Sequence, residues 1–167
     1  MKIKLNKKQI KYAIDLATKR HDSKNKSFRS KGTLINLDEK GFKDIDKQYL
    51  PHLIGVIGEL AWSIATGQKV DESIYSVRDP GQDFHETEIK TITYFGDGEP
   101  ELKIKVSEYE SKIPKLYVLV RFDMVKTVEI LGTITREAFD LVKKKKKYGA
   151  GKPMNYIVPI SKMEIYK

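Results

Sequence analysis

Two stretches in the first half of the chain repeat apolar residues at the spacing of a helix. Residues 7–20 follow Asn6, a good N-cap residue, and predict an amphipathic helix. Its apolar positions recur three and four residues apart at Ile10, Ala13, Ile14 and Ala17. A second helix is predicted to begin near Tyr49, with Pro51 in its first turn, and to end at Gly67. Its predicted apolar face consists of Leu53, Ile57, Leu60 and Ile64.

The second half alternates short apolar runs with turn residues, as strands do. Strands are predicted near 73–78, 86–95, 101–106, 116–120, 126–134 and 156–160. The run at 116–120 is apolar without alternation, which is typical of a central strand buried on both faces. The last strand is predicted to lie at an edge. Helical or irregular structure is predicted for 107–113, and a helix follows Thr135 with Ala138, Phe139 and Val142 directed inward.

Two polar segments predict loops. Residues 21–32 are basic and poorly periodic, and residues 143–151 combine a lysine run with glycines, which predicts an exposed, mobile loop. The order of elements predicts an α/β fold. At 167 residues the chain fits one domain, with a basic helix and arm over 1–48 and a core over 49–167.

Charge is unevenly distributed along the chain. Residues 1–31 hold eleven Lys or Arg against two Asp, a balance of +9, and the other 136 residues carry 21 basic and 21 acidic side chains. Residues 51–100 are acidic, with nine acids and three bases. A basic arm beside an acidic centre is typical of a protein that binds a polyanion and holds cations where it acts. The alternative is an ordinary solvated, lysine-rich surface.

Composition excludes several other classes of protein. The chain has no Cys, which rules out disulfides and thiolate zinc sites, and its three His are too scattered to predict a histidine metal site. The first residues lack the apolar core of a signal peptide, and no apolar run reaches membrane-spanning length. We therefore expect an intracellular, cytoplasmic protein without a membrane partner.

The most specific chemistry lies in residues 81–91. Asp83 precedes Glu88-Ile89-Lys90, and because side chains alternate in a strand, Glu88 and Lys90 should project from the same side. An Asp from the adjoining turn would place two carboxylates and one lysine at a sheet end. Such oxygen ligands suit a hard divalent cation such as Mg²⁺, and the lysine can position an attacking water. This combination favours metal-dependent phosphodiester hydrolysis.

Each of these residues also has an ordinary explanation. Glu88 and Lys90 could form an exposed strand pair, which stabilises little. Asp83 could be a turn residue selected for its backbone hydrogen bonds. Glu86 shares a face with Glu88 and is either a further ligand or a surface residue.

The spacing restricts the local geometry. Only four residues separate Asp83 from Glu88, which requires a tight turn at 85–86 or an irregular entry to the strand. Asp79, which precedes Pro80, is therefore a competitor for the role of the first Asp.

An Asp followed by Glu-x-Lys resembles the signature of the PD-(D/E)XK, or restriction-endonuclease-like, nuclease superfamily. In that superfamily a Glu often lies on a preceding helix, and here Gly58-Glu59 supplies one. The resemblance is closest to small phage-type members and extends loosely from His52 to Pro159. It implies a restriction-endonuclease-like fold, with a central mixed β-sheet flanked by helices, and the activity of a metal-dependent DNA endonuclease or nicking enzyme. One form of this expectation is a virus-encoded enzyme that acts in a host cell.

The side of the second predicted helix that carries Glu59 has two interpretations. Glu59 lies opposite the apolar face together with His52, Gly55 and Ser63, so this side faces either water or an active site. Gly55 and Gly58 each cost about 1 kcal/mol relative to Ala inside a helix. A close approach of another backbone would explain that cost, whereas a free surface would not.

The resemblance assigns roles to the site residues. Asp83, Glu88 and the Ile89 carbonyl would coordinate one or two Mg²⁺ or Mn²⁺ ions, with Glu59 as a further ligand directly or through water. Lys90 would orient the nucleophilic water and stabilise charge on the phosphate. The implied catalytic set is Lys90, Glu59, Asp83 and Glu88.

DNA, cut internally, is the expected substrate. The residues expected to bind it are Lys24, Lys26, Arg29, Lys31, Lys103 and Lys105, although a solvated strand face explains the last two equally well. The alternatives are a catalytically inactive DNA-binding or interaction module on the same fold, a Holliday-junction-resolving nuclease and an RNA-directed nuclease. The sequence leaves a homodimer open.

Overall fold

The protein has a mixed α/β fold in a computed structural model. The structure describes residues 1–24, 37–38, 41–42, 49–74, 83–93 and 97–167. Over these residues it contains four α-helices and ten β-strands. The predicted α/β class and the predicted mixed sheet are both confirmed.

The elements alternate along the chain. The helices are α1 (Lys7–Lys24), α2 (Leu50–Thr66), α3 (Val106–Ser111) and α4 (Arg136–Val142). The first five strands are β1 (Lys2–Lys4), β2 (Leu37–Asp38), β3 (Gly41–Phe42), β4 (Thr87–Ile92) and β5 (Glu101–Lys105). The last five are β6 (Leu116–Phe122), β7 (Thr127–Thr135), β8 (Lys144–Lys147), β9 (Met154–Pro159) and β10 (Glu164–Ile165).

The central sheet has the strand order β1-β7-β6-β4, and β10 also pairs with β7. Strand β4 runs parallel to β6, whereas β6 and β7 are antiparallel, so the sheet is mixed. A second, antiparallel sheet has the order β5-β9-β8. Strands β2 and β3 pair only with each other among the described residues.

Strand β6 separates two hydrophobic cores. Val118 and Val120 belong to the core formed with α1 and α2. Tyr117 and Leu119 belong to the core that the second sheet, α3 and α4 cover. All four side chains are at most 1% exposed, which confirms the predicted central strand. The central sheet is therefore the middle of three layers.

Helix α1 begins as predicted and runs further than predicted. Asn6 Oδ1 accepts the Gln9 N–H at 3.0 Å, and Gln9 Oε1 accepts the Asn6 N–H at 2.8 Å, so the two residues cap the helix reciprocally. The loop predicted from 21 is wrong for 21–24, where His21 is buried against the ring of Tyr49 and the helix continues. The rest of that prediction lies outside the described residues.

Helix α2 matches its predicted bounds. Pro51 lies in its first turn, and Gly67 ends it with a left-handed φ of 74°, which glycine adopts without strain. Of the predicted apolar face only Ile64 is wrong, at 41% exposed. The buried side is instead completed by Trp62, whose ring packs 5.4 Å from that of Tyr166.

The second sheet corrects two predictions. The lysine run forms β8 rather than a loop, because its backbone pairs with β9 while all four side chains stay exposed. Strand β9 consequently lies between β5 and β8 and is not an edge strand. Ala138, predicted to point inward from α4, is exposed, whereas Phe139 is fully buried. Residues 73–74 are not a strand, and 75–78 lie outside the described residues.

The two glycines of α2 have different surroundings. A Cβ at Gly58 would lie 1.9 Å from Thr91 Oγ1 and 3.3 Å from Ile89 Cγ2, so this glycine lets α2 pack directly on β4. A Cβ at Gly55 would meet no described atom within 4 Å. The close approach at Gly58 is made by side chains of β4 rather than by another backbone, and no described atom approaches Gly55.

We predict that Gly58→Ala lowers the free energy of unfolding by about 1–3 kcal/mol, because the added methyl group overpacks the contact with β4. Gly55→Ala, the matched control on the same helix, should raise it by up to about 1 kcal/mol through helix propensity. Chemical denaturation measures both values. Adding Thr91→Ala to the Gly58 variant should recover part of the loss. Equal effects of the two alanines would contradict the close packing.

Candidate active site

A two-residue turn brings Asp83 beside β4. Phe84 and Thr87 exchange backbone hydrogen bonds of 3.3 and 3.1 Å, and Glu86 between them has a φ of 60°. This is the predicted tight turn, and it is confirmed. Because the chain reverses there, Asp83 Oδ2 accepts the N–H of Ile89 at 2.8 Å. Asp83 is thereby fixed at the edge of the strand that carries Glu88 and Lys90.

Glu88 and Lys90 project from the same side of β4, as their spacing predicted. Lys90 Nζ donates to Glu88 Oε1 at 2.8 Å. Glu88 is only 3% exposed, so this pair differs from an ordinary surface pair. A buried carboxylate must be neutralised or hydrogen-bonded, because water does not solvate it.

Two further charged residues surround Glu88, and sequence reasoning missed both. Lys112, which follows α3, donates to both Glu88 oxygens at 3.1 and 3.2 Å. Glu108 on α3 accepts a hydrogen bond from Lys90 and lies 3.8 Å from Lys112 Nζ. Their spacing of four residues indicated a shared helix face, but no local signal showed which strand that face would meet.

Glu59 on α2 is buried in the protein and does not face water. It is 3% exposed, and Arg20 of α1 donates to both of its carboxylate oxygens at 2.6 and 2.9 Å. Arg20 also donates to the backbone oxygen of Asp71 at 2.6 Å. This planar, two-point contact satisfies Glu59 within the protein.

The carboxylates of the site raise one another's pKa. Burial raises the pKa of Asp83 to about 6, and the Glu59 carboxylate adds to this rise. Burial and then the Asp83 carboxylate raise the pKa of Glu88 to about 7. Burial also raises the pKa of Glu59, although Arg20 opposes it. Burial is thus the main cause of all three rises, and additional positive charge near Asp83 would oppose the rise in its pKa.

Lys90 stays protonated in this environment. Burial lowers its pKa, but the carboxylates of Glu88 and Glu108 outweigh burial, and the net pKa is raised. The ammonium group can therefore donate hydrogen bonds and stabilise negative charge, and it is a poor proton acceptor near neutral pH.

The edge of β4 offers a backbone oxygen as well. Thr87 exchanges both of its backbone hydrogen bonds with Phe84, on the side of the strand away from β6. Ile89, two residues on, points the same way, as its N–H bond to Asp83 shows. The N–H and C=O of one strand residue lie on the same side. The Ile89 carbonyl therefore faces the edge where Asp83 lies.

These groups are oxygen donors, which fit a hard divalent cation. Among the described residues no group of three or more His, Asp or Glu side chains is arranged to hold a metal ion by itself. A cation at this edge would thus take Asp83, Glu88 and the Ile89 carbonyl, with water completing its ligands. The raised pKa values of the two acids indicate that positive charge would be favoured there.

The other predicted site residues lie elsewhere. Glu86 is on the exposed turn, where it pairs with Lys115 at 2.7 Å. Lys103 and Lys105 are exposed on β5 of the second sheet. Several predicted residues lie outside the described side chains: Lys24, Lys26, Arg29, Lys31 and Asp79.

Comparison with family models, with curated proteins and with solved structures finds no match to this chain. No helix among the described residues is long and apolar enough to cross a membrane.

We predict that the change in the free energy of unfolding caused by Asp83→Asn is more favourable at pH 8 than at pH 4. Because the folded-state pKa of Asp83, about 6, lies above its unfolded value, the folded wild type binds more protons and loses stability as pH rises from about 4 to 7. Asn keeps the acceptor for Ile89 and cannot ionise. The relative gain should be on the order of 1–3 kcal/mol, measured by denaturation at both pH values.

Glu86→Gln is the matched control, since Lys115 lowers the pKa of Glu86 and no gain at high pH is expected. An Asp83→Asn effect that is the same at pH 4 and pH 8 would show that Asp83 has an ordinary carboxyl pKa.

Proposed function

We propose that the protein is a metal-dependent endonuclease that hydrolyses phosphodiester bonds of DNA. The observation that carries this proposal is the edge of β4, where Asp83 and Glu88 have raised pKa values beside the protonated Lys90. The order of elements adds support, because a helix with a buried Glu precedes the Asp, Glu-x-Lys strand, and a parallel strand follows it. The proposal includes a restriction-endonuclease-like fold.

Asp83, Glu88 and the Ile89 carbonyl would hold Mg²⁺ or Mn²⁺ in this proposal. When bound, the ion would polarise the scissile phosphate and make a water molecule more acidic. Glu59 acts through water, because both of its oxygens already accept hydrogen bonds from Arg20.

The lysines supply positive charge where the phosphate gains negative charge. Lys90 stays charged, so its role is to orient the attacking water and stabilise the developing charge, rather than to remove a proton. Lys112 contributes a second ammonium group on the same side of β4, in contact with Glu88. Both lysines are held by carboxylates before any substrate arrives, which keeps them in position.

One observation favours the alternative of a catalytically inactive DNA-binding or interaction module. Glu88 is paired with Lys90 and Lys112, and Glu59 is paired with Arg20. Internal ion pairs of this kind would also form if the cluster only stabilised the fold. Activity measurements separate the two functions.

We predict that the purified protein nicks or cuts supercoiled plasmid DNA with Mg²⁺ or Mn²⁺ and is inactive in excess chelator. Asp83→Asn, Glu88→Gln and Lys90→Met should each lower the rate by about 100-fold or more, because each removes charge that acts at the reacting phosphate. Gel assays of plasmid cleavage measure these rates.

Glu86→Gln is the control, since it removes a carboxylate two residues from Glu88 on the exposed turn and should cut at the wild-type rate. Cleavage that persists in chelator would rule out the metal-dependent reaction. A folded protein that binds DNA and cuts it with neither cation would support the inactive module instead.

A further inference from the structure

One face of the three-stranded sheet lies outside both core clusters, although Ile157 on that face is only 8% exposed. Val158 and Tyr156 on β9 pack in or against the core beneath the sheet. Successive strand residues alternate faces, so Asn155 and Ile157 lie on the other face. Ile157 belongs to neither core cluster, which agrees with this placement.

The strand register places four lysines on this outer face. Cross-strand partners project from the same side of a sheet. Ile157 pairs with Lys103 of β5 and with Lys144 of β8. Asn155 pairs with Lys105 of β5 and with Lys146 of β8. All four lysine side chains are exposed. We call Lys103, Lys105, Lys144 and Lys146 the lysine face.

An aromatic ring lies among these lysines. The ammonium groups of Lys103 and Lys146 lie 4.4 and 4.8 Å from the ring centroid of Tyr148, which is 41% exposed. The Tyr148 hydroxyl donates to Glu101 Oε2 at 2.6 Å, and Lys146 lies 3.1 Å from Glu101 Oε1. Side chains from both outer strands thus meet over β9 and fix the ring.

The excess of positive charge in this part of the sequence extends beyond the four residues of the lysine face. Residues 101–167 carry fifteen Lys or Arg against eight Asp or Glu. Lysines on outer strands also block unwanted strand pairing, but lysines directed to either face would serve that purpose. That explanation leaves the fixed tyrosine and the concentration of charge around it without a role.

We propose that the lysine face and Tyr148 bind the phosphate backbone of duplex DNA. The choice of DNA rests on the proposed function, and the lysine face is the surface on which that substrate would be held. Lysines two residues apart on one strand are spaced about 7 Å along it, and two strands contribute such pairs, which suits a polymer of phosphates better than one small anion. Tyr148 adds a partly exposed ring for contact with sugar or base.

The test compares the two faces of one strand. Lys144→Gln with Lys146→Gln removes two charges from the lysine face, and Lys145→Gln with Lys147→Gln removes two from the opposite side of β8. Binding to a fluorescent duplex is measured by anisotropy across salt concentrations, in excess chelator. The first variant should bind more weakly and flatten the slope of log affinity against log salt by up to about 1.8, because each phosphate contact contributes about 0.9.

The control variant should keep the wild-type slope, and Lys103→Gln with Lys105→Gln should reproduce the first variant from the other outer strand. Circular dichroism checks that each variant is folded. Equal slopes for all the variants would overturn the proposal, whether all match the wild type or all fall by the same amount. The proposal would also be overturned if the protein bound anionic vesicles through these four lysines and did not bind DNA.

Binding in chelator does not depend on cleavage, so this test and the nuclease assay can fail separately. A protein that never cuts DNA but shows the difference between the two faces of β8 would keep the lysine face and lose the enzyme. A protein that cuts DNA with an unchanged salt slope would keep the enzyme and lose the lysine face.

Discussion

The burial of Glu88 is the constraint around which the site is organised. A carboxylate that is 3% exposed costs several kcal/mol unless cations or hydrogen bonds replace its water. Lys90 supplies one cation from the same strand, and Lys112 supplies another from the end of α3. Helix α3 is thereby held to β4 by charge, while its Tyr109 packs against the rings of Phe139 on α4 and Tyr156 on β9. The same requirement connects α1 to α2, because Glu59 depends on Arg20.

These partners do not neutralise the site evenly. Glu88 and Glu59 each have cationic partners at hydrogen-bond distance, but Asp83 is held by the N–H of Ile89 and by no ammonium or guanidinium group among the described residues. Burial and the neighbouring Glu59 carboxylate raise the pKa of Asp83, and the more distant charges of Lys90 and Lys112 offset this rise only in part. Positive charge is therefore missing at the edge of β4, where the Ile89 carbonyl also points, and a divalent cation would supply it. This imbalance distinguishes the site from a closed structural network and supports the proposed chemistry.

Local sequence patterns predicted the parts of the site that depend on local geometry. The alternation of a strand predicted the contact of Glu88 with Lys90, and the short spacing predicted the turn after Asp83. Arg20 and Lys112 were missed because each meets its partner through tertiary packing, 39 and 24 residues away in sequence.

The fold shows the same division between local and tertiary signals. The caps of α1 and α2 are local and were predicted. Strand β8 was missed because pairing with β9, rather than the propensity of its lysines, makes it a strand. Gly58 and Gly55 are indistinguishable by propensity, and only the position of β4 beneath one of them separates their roles.

The most direct measurement is a carbon NMR titration of the side-chain carboxyls, with and without Mg²⁺. Without the ion, Asp83 and Glu88 should titrate with apparent pKa values of about 6 and about 7, while Glu86 titrates below the ordinary range of a glutamate. Saturating Mg²⁺ should lower the first two values and leave Glu86 unchanged. Ordinary pKa values near 4 for Asp83 and Glu88, or no response to the ion, would contradict a buried carboxylate site that binds a divalent cation.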